Sequence, residues 1–519
     1  MTLSISGDDH AQPAYALALT PLTRTASIVH EPTEDPYKTL RVNRLVYTSA
    51  ILAYLQVIQF GWGLSQVNLG KFNNQADCDA RPVVEGTCLM FPGHSKTEWL
   101  FVVNSWVVGG MIGGLSSGFF SDRFGRKRTL VTNGAIMIVG AIIQAAAPSL
   151  PVFSVGRFIA GLAAGGGIAM SNGYVNEVSP PHLRALLGSG YGVGVASGVL
   201  LVSIAFFFAD TSTGWRYMGG FPIIIGAVVL IFGPNHMVES PAWLLLHDKH
   251  EEAERVLARL YGEENVDRAL TWITTKPAPQ RSTSLLQATE EALQEPVHST
   301  EKGTVKYVSP IKALFSKQYL RHTVLAMHIA MQVQLTGINA VFFYSSTLFR
   351  TAGVTDGRIA SLVVSLCYIS PVLFIAFFTR RFGNRNVILS GLTLMLIAAV
   401  GLTLALSFHV SALAIFFIGL YSASFSGSVG AISYPTGVGV FPDALRATGT
   451  SVMMLVNWCG TLTIGLGYPY VSTALDELAF LPFVGFILYF MIFMSFLLPN
   501  TTGKTNEEIQ DMFRRKVIR

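Results

Sequence analysis

The sequence predicts an all-α polytopic membrane protein, twelve helices in two six-helix bundles, and three observations carry that prediction. Uncharged apolar runs of about 20 residues recur down the chain, each long enough to cross about 30 Å of hydrocarbon as a helix. WLFVVNSWVVGGMIGGLSSGFF from Trp99 and TLVTNGAIMIVGAIIQAAA from Thr129, for example, contain no Lys, Arg, Asp or Glu. Composition agrees, because 51% hydrophobic against 13% charged residues, with a mean hydropathy of +0.47, is more apolar than a soluble core requires. The chain also echoes itself. DRFGRKR at Asp122 returns as RRFGNRN at Arg380, an offset of 258, and Pro180 to Arg184 returns as FPDALR ending at Arg446, an offset of 262. Two matches at nearly one offset, about half the chain, point to a duplicated bundle.

Taken in order, residues 1–43 are polar, contain four prolines and lack the apolar run of a cleavable signal, so they are expected to be a disordered cytoplasmic tail. The first bundle is expected over 44–236. Its first span, about Leu45 to Ser65, ends in QFGWGLSQVN, and irregular backbone at that depth normally faces a cavity. A long external segment follows and holds Cys78 and Cys88, candidates for a disulfide on the oxidising side. Cys367 and Cys459 fall inside apolar spans and no Cys-x-x-Cys occurs, so no metal site is expected. Between the second and third spans lies GFFSDRFGRKR, with Arg123, Arg126, Lys127 and Arg128 against Asp122. Basic excess in a short loop marks the cytoplasmic side. The formal net charge of +5 therefore reads as loop bias, and no nucleic-acid partner is expected.

The fourth span carries Arg157 about two turns from its external end. A charge at membrane depth costs about 3 kcal/mol or more unless paired, so Arg157 either serves function or snorkels to the interface. The fifth span, about Ala185 to Phe208, is dense in glycine, which favours close helix packing. Residues 237–320 read as a cytoplasmic linker. Within it HEEAERVLARLYG places Ala253, Val256, Leu257 and Leu260 on one helical face, and Pro277 and Pro279 begin a flexible stretch. Six further spans fill 321–498, and 499–519 is a short tail. The even count puts both termini in the cytoplasm.

The motifs GFFSDRFGRKR, GRFIAG at Gly156, YVNEVSPPHLRA, ESP at Glu239, QLTGINAVFFYS at Gln334, the Asn457-Trp458 pair and PNTTGKTNEEI at Pro499 resemble those of the sugar porters of the major facilitator superfamily. The resemblance covers about residues 45–510. It implies alternating access, a sugar or polyol substrate in a lipid bilayer, no cofactor, no catalysis, and a protein functional as a monomer. It also implies a gating set: a salt-bridge latch of Asp122, Arg123, Arg126, Glu177, Arg184, Glu239 and Arg446, with Tyr344 as a gate residue. Counting places Arg380 and Gly439 where the second half should carry acids, so that half of the latch is expected to be depleted.

A neutral sugar needs side chains that donate and accept hydrogen bonds without net charge, as amides do. Gln334 and Asn339 lie about 140° apart around a regular helix, and a local break would turn both to one cavity. The resemblance makes both of them sugar ligands and makes Asn457 and Trp458 the floor of the site. Several family ligands are missing: Gly192, Val333, Tyr368, Ser426, Tyr434 and Thr461 stand where polar ligands are usual, and Tyr368 and Tyr434 are counted as substrate-facing replacements. Gly63 occupies the first-span position where proton-coupled relatives carry a carboxylate, which favours facilitated diffusion of a hexose-like sugar. His328 in the seventh span reads as a packed histidine rather than a relay. Two alternatives stay open: proton symport of a polyol, inositol or quinate-like solute, and a non-transporting sugar sensor. The plasma membrane is the expected location, with a vacuolar or other internal membrane as the alternative.

Overall fold

Twelve membrane helices follow one another in the computed structural model, which describes residues 42–73, 75–274, 309–351, 356–500, 504 and 506–515. The expected N-terminal tail and the stretch with Pro277 and Pro279 lie outside the described residues. In the first half, α1 is Arg44–Ser65, α2 Lys96–Phe124, α3 Arg126–Ala146, α4 Leu150–Val178, α5 Pro181–Ala205 and α6 Gly214–His236. In the second half, α7 runs Leu320–Leu335 and resumes as Ile338–Thr351, α8 is Gly357–Val372 with Ile375–Phe382, and α9 is Asn384–Ser407. The last three are α10, Ser411–Val440, α11, Asp443–Leu475, and α12, Leu481–Leu497. Ten are long and apolar enough to cross a membrane alone; α8 does so as a pair bent by 49°, and α12 has 17 residues.

Local chemistry sets the ends. Asn43 caps α1 by accepting the Leu45 N–H at 3.1 Å, and Ser95 with Glu98 forms a capping box at α2. The turn from α2 to α3 is made by Gly125 at φ 97°, ψ 156°, and the turn from α8 to α9 by Gly383 at φ 79°, ψ 152°. These are the same backbone turn at the repeat offset of 258, in a region that disfavours any side chain. After α6, helix His250–Tyr261 buries Ala253, Leu257 and Leu260, and the Tyr261 hydroxyl donates to the Val178 carbonyl at 2.9 Å. The linker helix is thereby seated under the first bundle, on the face that carries the 118–128 loop.

The two halves meet along two seams. Along the first, α2 packs on α11: Lys96 Nζ donates to the Pro469 carbonyl at 2.7 Å and to Thr473 at 2.5 Å. Deeper down, Gly110 and Gly114 lie against the Trp458 ring, where a Cβ on Gly110 would come within 2.3 Å of it. Along the second, α5 packs on α8, with Ser203 and Ser365 hydroxyls 2.7 Å apart and Gly192 against Val372. The Lys96 and Ser203 contacts lie in the half of the molecule away from the charged loop, so the structure is closed on that opposite face.

Candidate substrate site and its gates

The site begins with the interruption of α7. Gly337, at φ 93°, stops the first segment after Leu335, and a Cβ there would stand 2.6 Å from the Phe483 ring. The break brings Gln334 and Asn339 together, as their spacing allowed. Asn339 Nδ2 donates to Gln334 Oε1, and Gln334 Nε2 donates to Asn457 Oδ1 at 2.8 Å. Gly460, one turn on from Asn457, makes room for Gln334, since a Cβ on it would be 2.8 Å from the Gln334 Cβ. All three amides thus form one chain linking α7 to α11.

Trp458 extends this chain to the other bundle. It is buried, its indole N–H has no partner among the described residues, and its ring lies 6.2 Å from Phe60 and 6.4 Å from Trp106. Tyr368 on α8 is buried edge-on against Phe342 at 5.0 Å, whereas Tyr434 on α10 is half-buried. Among the described residues neither hydroxyl donates to a backbone carbonyl. Tyr191 on α5, which sequence reasoning missed, is half-buried and packs on the same apolar core as both. Gln332, also missed, faces away from the amide chain and donates to Ser433 on α10 at 2.8 Å. His328 points to α12, bonded to Tyr489 at 2.9 Å and stacked 4.0 Å from Phe493.

Arg157 does not snorkel, and among the described residues it meets no acid. It is fully buried, and its Nη1 donates to the Gly63 carbonyl at 2.9 Å and to Gln66 at 3.4 Å. Its guanidinium stands 5.4 Å from the centre of the Trp106 ring. A Cβ on Gly63 would fall 2.6 Å from Trp106 Nε1, so the indole fills the space that a side chain at 63 would need. Carbonyl dipoles and a ring face hold this cation in place of a carboxylate.

At the charged-loop face the expected latch residues separate into groups. Arg126, buried, pairs with Asp122 at 2.7 Å and with Glu177 at 3.1 Å. Glu239 joins through backbone, its Oε1 accepting the N–H groups of Arg126, Lys127 and Ser240 at 2.6, 3.0 and 3.0 Å, which caps the start of α3. Burial lifts the Glu239 carboxyl above its ordinary range, and those N–H groups oppose the rise. Arg123 is exposed and makes no ion pair among the described residues. Arg184 donates to the carbonyls of Asn176 and Ser179 at the end of α4, and Arg446 donates to Phe441 at the end of α10. Tyr344 stands far from this cluster, where α7 leaves helical geometry, and its hydroxyl donates to the Gly465 carbonyl of α11 at 2.9 Å. On the opposite face Cys78 and Cys88 are joined sulfur to sulfur, beside His94 bonded to the Phe91 carbonyl.

Two bundles that meet face to face along paired seams, with uncharged polar groups at the midpoint and ion pairs at both ends, have the architecture of the major facilitator fold. Solved structures agree on the fold. The proton:xylose symporter XylE bound to 6-bromo-6-deoxy-D-glucose superposes with a TM-score of 0.69 at 21% identity, covering 90% of this chain and 98% of that one. The inward-open form of XylE from E. coli gives 0.71 at 20% identity, covering 90% and 99%. More specifically, the chain belongs to the sugar (and other) transporter family, whose pattern matches residues 46–513. It is 30% identical over 443 residues to the solute carrier family 2 facilitated glucose transporter member 1 of Gallus gallus, covering 82% of this chain and 84% of the relative. To the glucose transporter GlcP of Staphylococcus epidermidis it is 30% identical over 448 residues, covering 84% and 93%.

Proposed function

We propose that the protein carries a neutral, hexose-like sugar by alternating access and facilitated diffusion, as a monomer, with the charged-loop face and both termini in the cytoplasm of a plasma-membrane carrier. The amide chain of Gln334, Asn339 and Asn457, with Trp458 beneath it and Tyr368 and Tyr434 on neighbouring helices, supports a substrate recognised through hydroxyls and an apolar ring face. One relative named as a facilitated glucose transporter and another named as a glucose transporter support the same substrate class. The absence of proton coupling rests on one observation. At position 63 there is no carboxylate to take and release a proton beside Arg157, and Trp106 fills the space for one.

The test is D-glucose counterflow in proteoliposomes of purified protein, without an ion gradient and against empty vesicles. Saturable counterflow, with no alkalinisation of the medium on sugar entry, is expected. Uptake that requires an imposed proton gradient would overturn facilitated diffusion, and no counterflow from folded protein would overturn the hexose assignment.

A further inference from the structure

Outside the substrate site, the face opposite the charged loop carries four charged groups drawn from both bundles. Asp210, just after α5, accepts from Lys71 Nζ at 2.9 Å and from Arg358 Nη1 at 2.9 Å. Lys71 precedes α2 and so belongs with Asp210 to the first bundle. Arg358 opens α8 in the second bundle and is held there by Asp356, Nε to Oδ1 and Nη2 to Oδ2, both at 2.9 Å. That fork leaves Nη1 as the arm directed at Asp210. Side-chain exposures of 14% for Asp210 and 29% for Arg358 place the crossing pair in partial shelter from solvent, and Arg358 also lies over the Phe207 ring at 5.5 Å. Immediately below along the same seam stands the Ser203 to Ser365 hydrogen bond.

We propose that Asp210 and Arg358 are positioning residues for transport, a clasp across the bundles that holds the opposite face shut and sets how readily it opens. This rests on the alternating-access reading above. When α5 and α8 part at this end as rigid bodies, the Lys71–Asp210 pair travels with one bundle and the Asp356–Arg358 pair with the other. Of the ion pairs in this cluster only Asp210–Arg358 must break, together with the Ser203–Ser365 bond below it. Its two partners are therefore preorganised by their own bundles, so little side-chain ordering is lost each time the clasp closes. Lys71 and Asp356 also balance the two crossing charges, and the four-residue cluster is neutral. Removing the Asp210 charge leaves Lys71 and Arg358 as like charges facing each other, which favours separation.

Distances between spin labels test the proposal without any sugar. Labels go at exposed T213C in the first bundle and F408C in the second, in a C367S/C459S background, with the full chain in lipid nanodiscs. The wild-type protein is expected to show one dominant short separation. D210N and R358Q should raise the ratio of long to short separations about three- to tenfold, while R358K, which keeps the charge but not the fork, should fall between wild type and R358Q. Thermal unfolding of the same samples establishes that each variant is folded. Identical distance distributions in wild type, D210N and R358Q would overturn the clasp. Because this readout does not depend on substrate, such a result would leave the sugar assignment standing, and a failed sugar assay would leave the clasp standing.

Discussion

Both ends of the Gln334 amide are engaged inside the protein, one by Asn339 and one by Asn457, so in the proposed sugar site Gln334 acts as a spacer, with Asn339 Oδ1 and Asn457 Nδ2 the groups offered to the substrate. Gln334→Ala should remove two hydrogen bonds and unfix both neighbours, weakening sugar affinity in counterflow about tenfold or more, at roughly 0.5–1.5 kcal/mol per bond. Unchanged half-saturation would count against this site. Gly63→Ala should lower thermal stability by about 1–3 kcal/mol, because its methyl must displace the Trp106 indole; a thermal-shift measurement decides. Gln334 and Asn339 were legible in the sequence because a short motif carries them. The Trp106 indole over Gly63 was not, since no local spacing ties the two residues and only the packing of α2 on α1 brings them together. The crossing pair Asp210–Arg358 was hidden for the same reason.

Elements preserve what the repeat implied better than side chains do. Gly125 and Gly383 repeat one backbone turn, and Arg184 and Arg446 each donate to the carbonyl five residues before them, Ser179 and Phe441. Sequence reading places both arginines in the latch; the bonds described for them satisfy carbonyls at helix ends, a need every helix has and which no charge count reveals. Glu239 is the element-scale test. Its carboxyl is raised from the ordinary value of 4.5, so the folded state holds the proton more tightly than the unfolded state, and its contribution to stability falls as pH rises above about 4.5 toward the folded-state value. Glu239→Gln keeps an acceptor for the α3 N–H groups without the charge, so its melting temperature relative to wild type should climb as pH rises above about 4.5. Glu239→Ala should cost about 1–3 kcal/mol at every pH by leaving those groups unmet. A difference between wild type and Glu239→Gln that is flat with pH would sink this account.

On the scale of the whole molecule, apolar run lengths and charged loops made twelve helices legible, because crossing hydrocarbon leaves the backbone few alternatives. How the halves touch was not, since the seams join residues more than a hundred positions apart. A double variant reads the seam directly. S203C with S365C, in the C367S/C459S background, should form a cross-link under oxidation, as the two hydroxyls are 2.7 Å apart. Transport should stop, and reductant should restore it. Full activity of the cross-linked protein would show that α5 and α8 need not part.

Arg157 has an electrical consequence. A membrane voltage of 100 mV exerts about 2.3 kcal/mol on each unit charge that crosses the field. This cation is tied to carbonyl and ring groups of its own bundle and has no mobile counter-charge at position 63. Under the proposed facilitated diffusion of a neutral sugar the cycle carries no current, and the cell's resting potential neither drives the carrier nor slows it. Sugar would move toward equal concentrations whatever the polarity of the membrane.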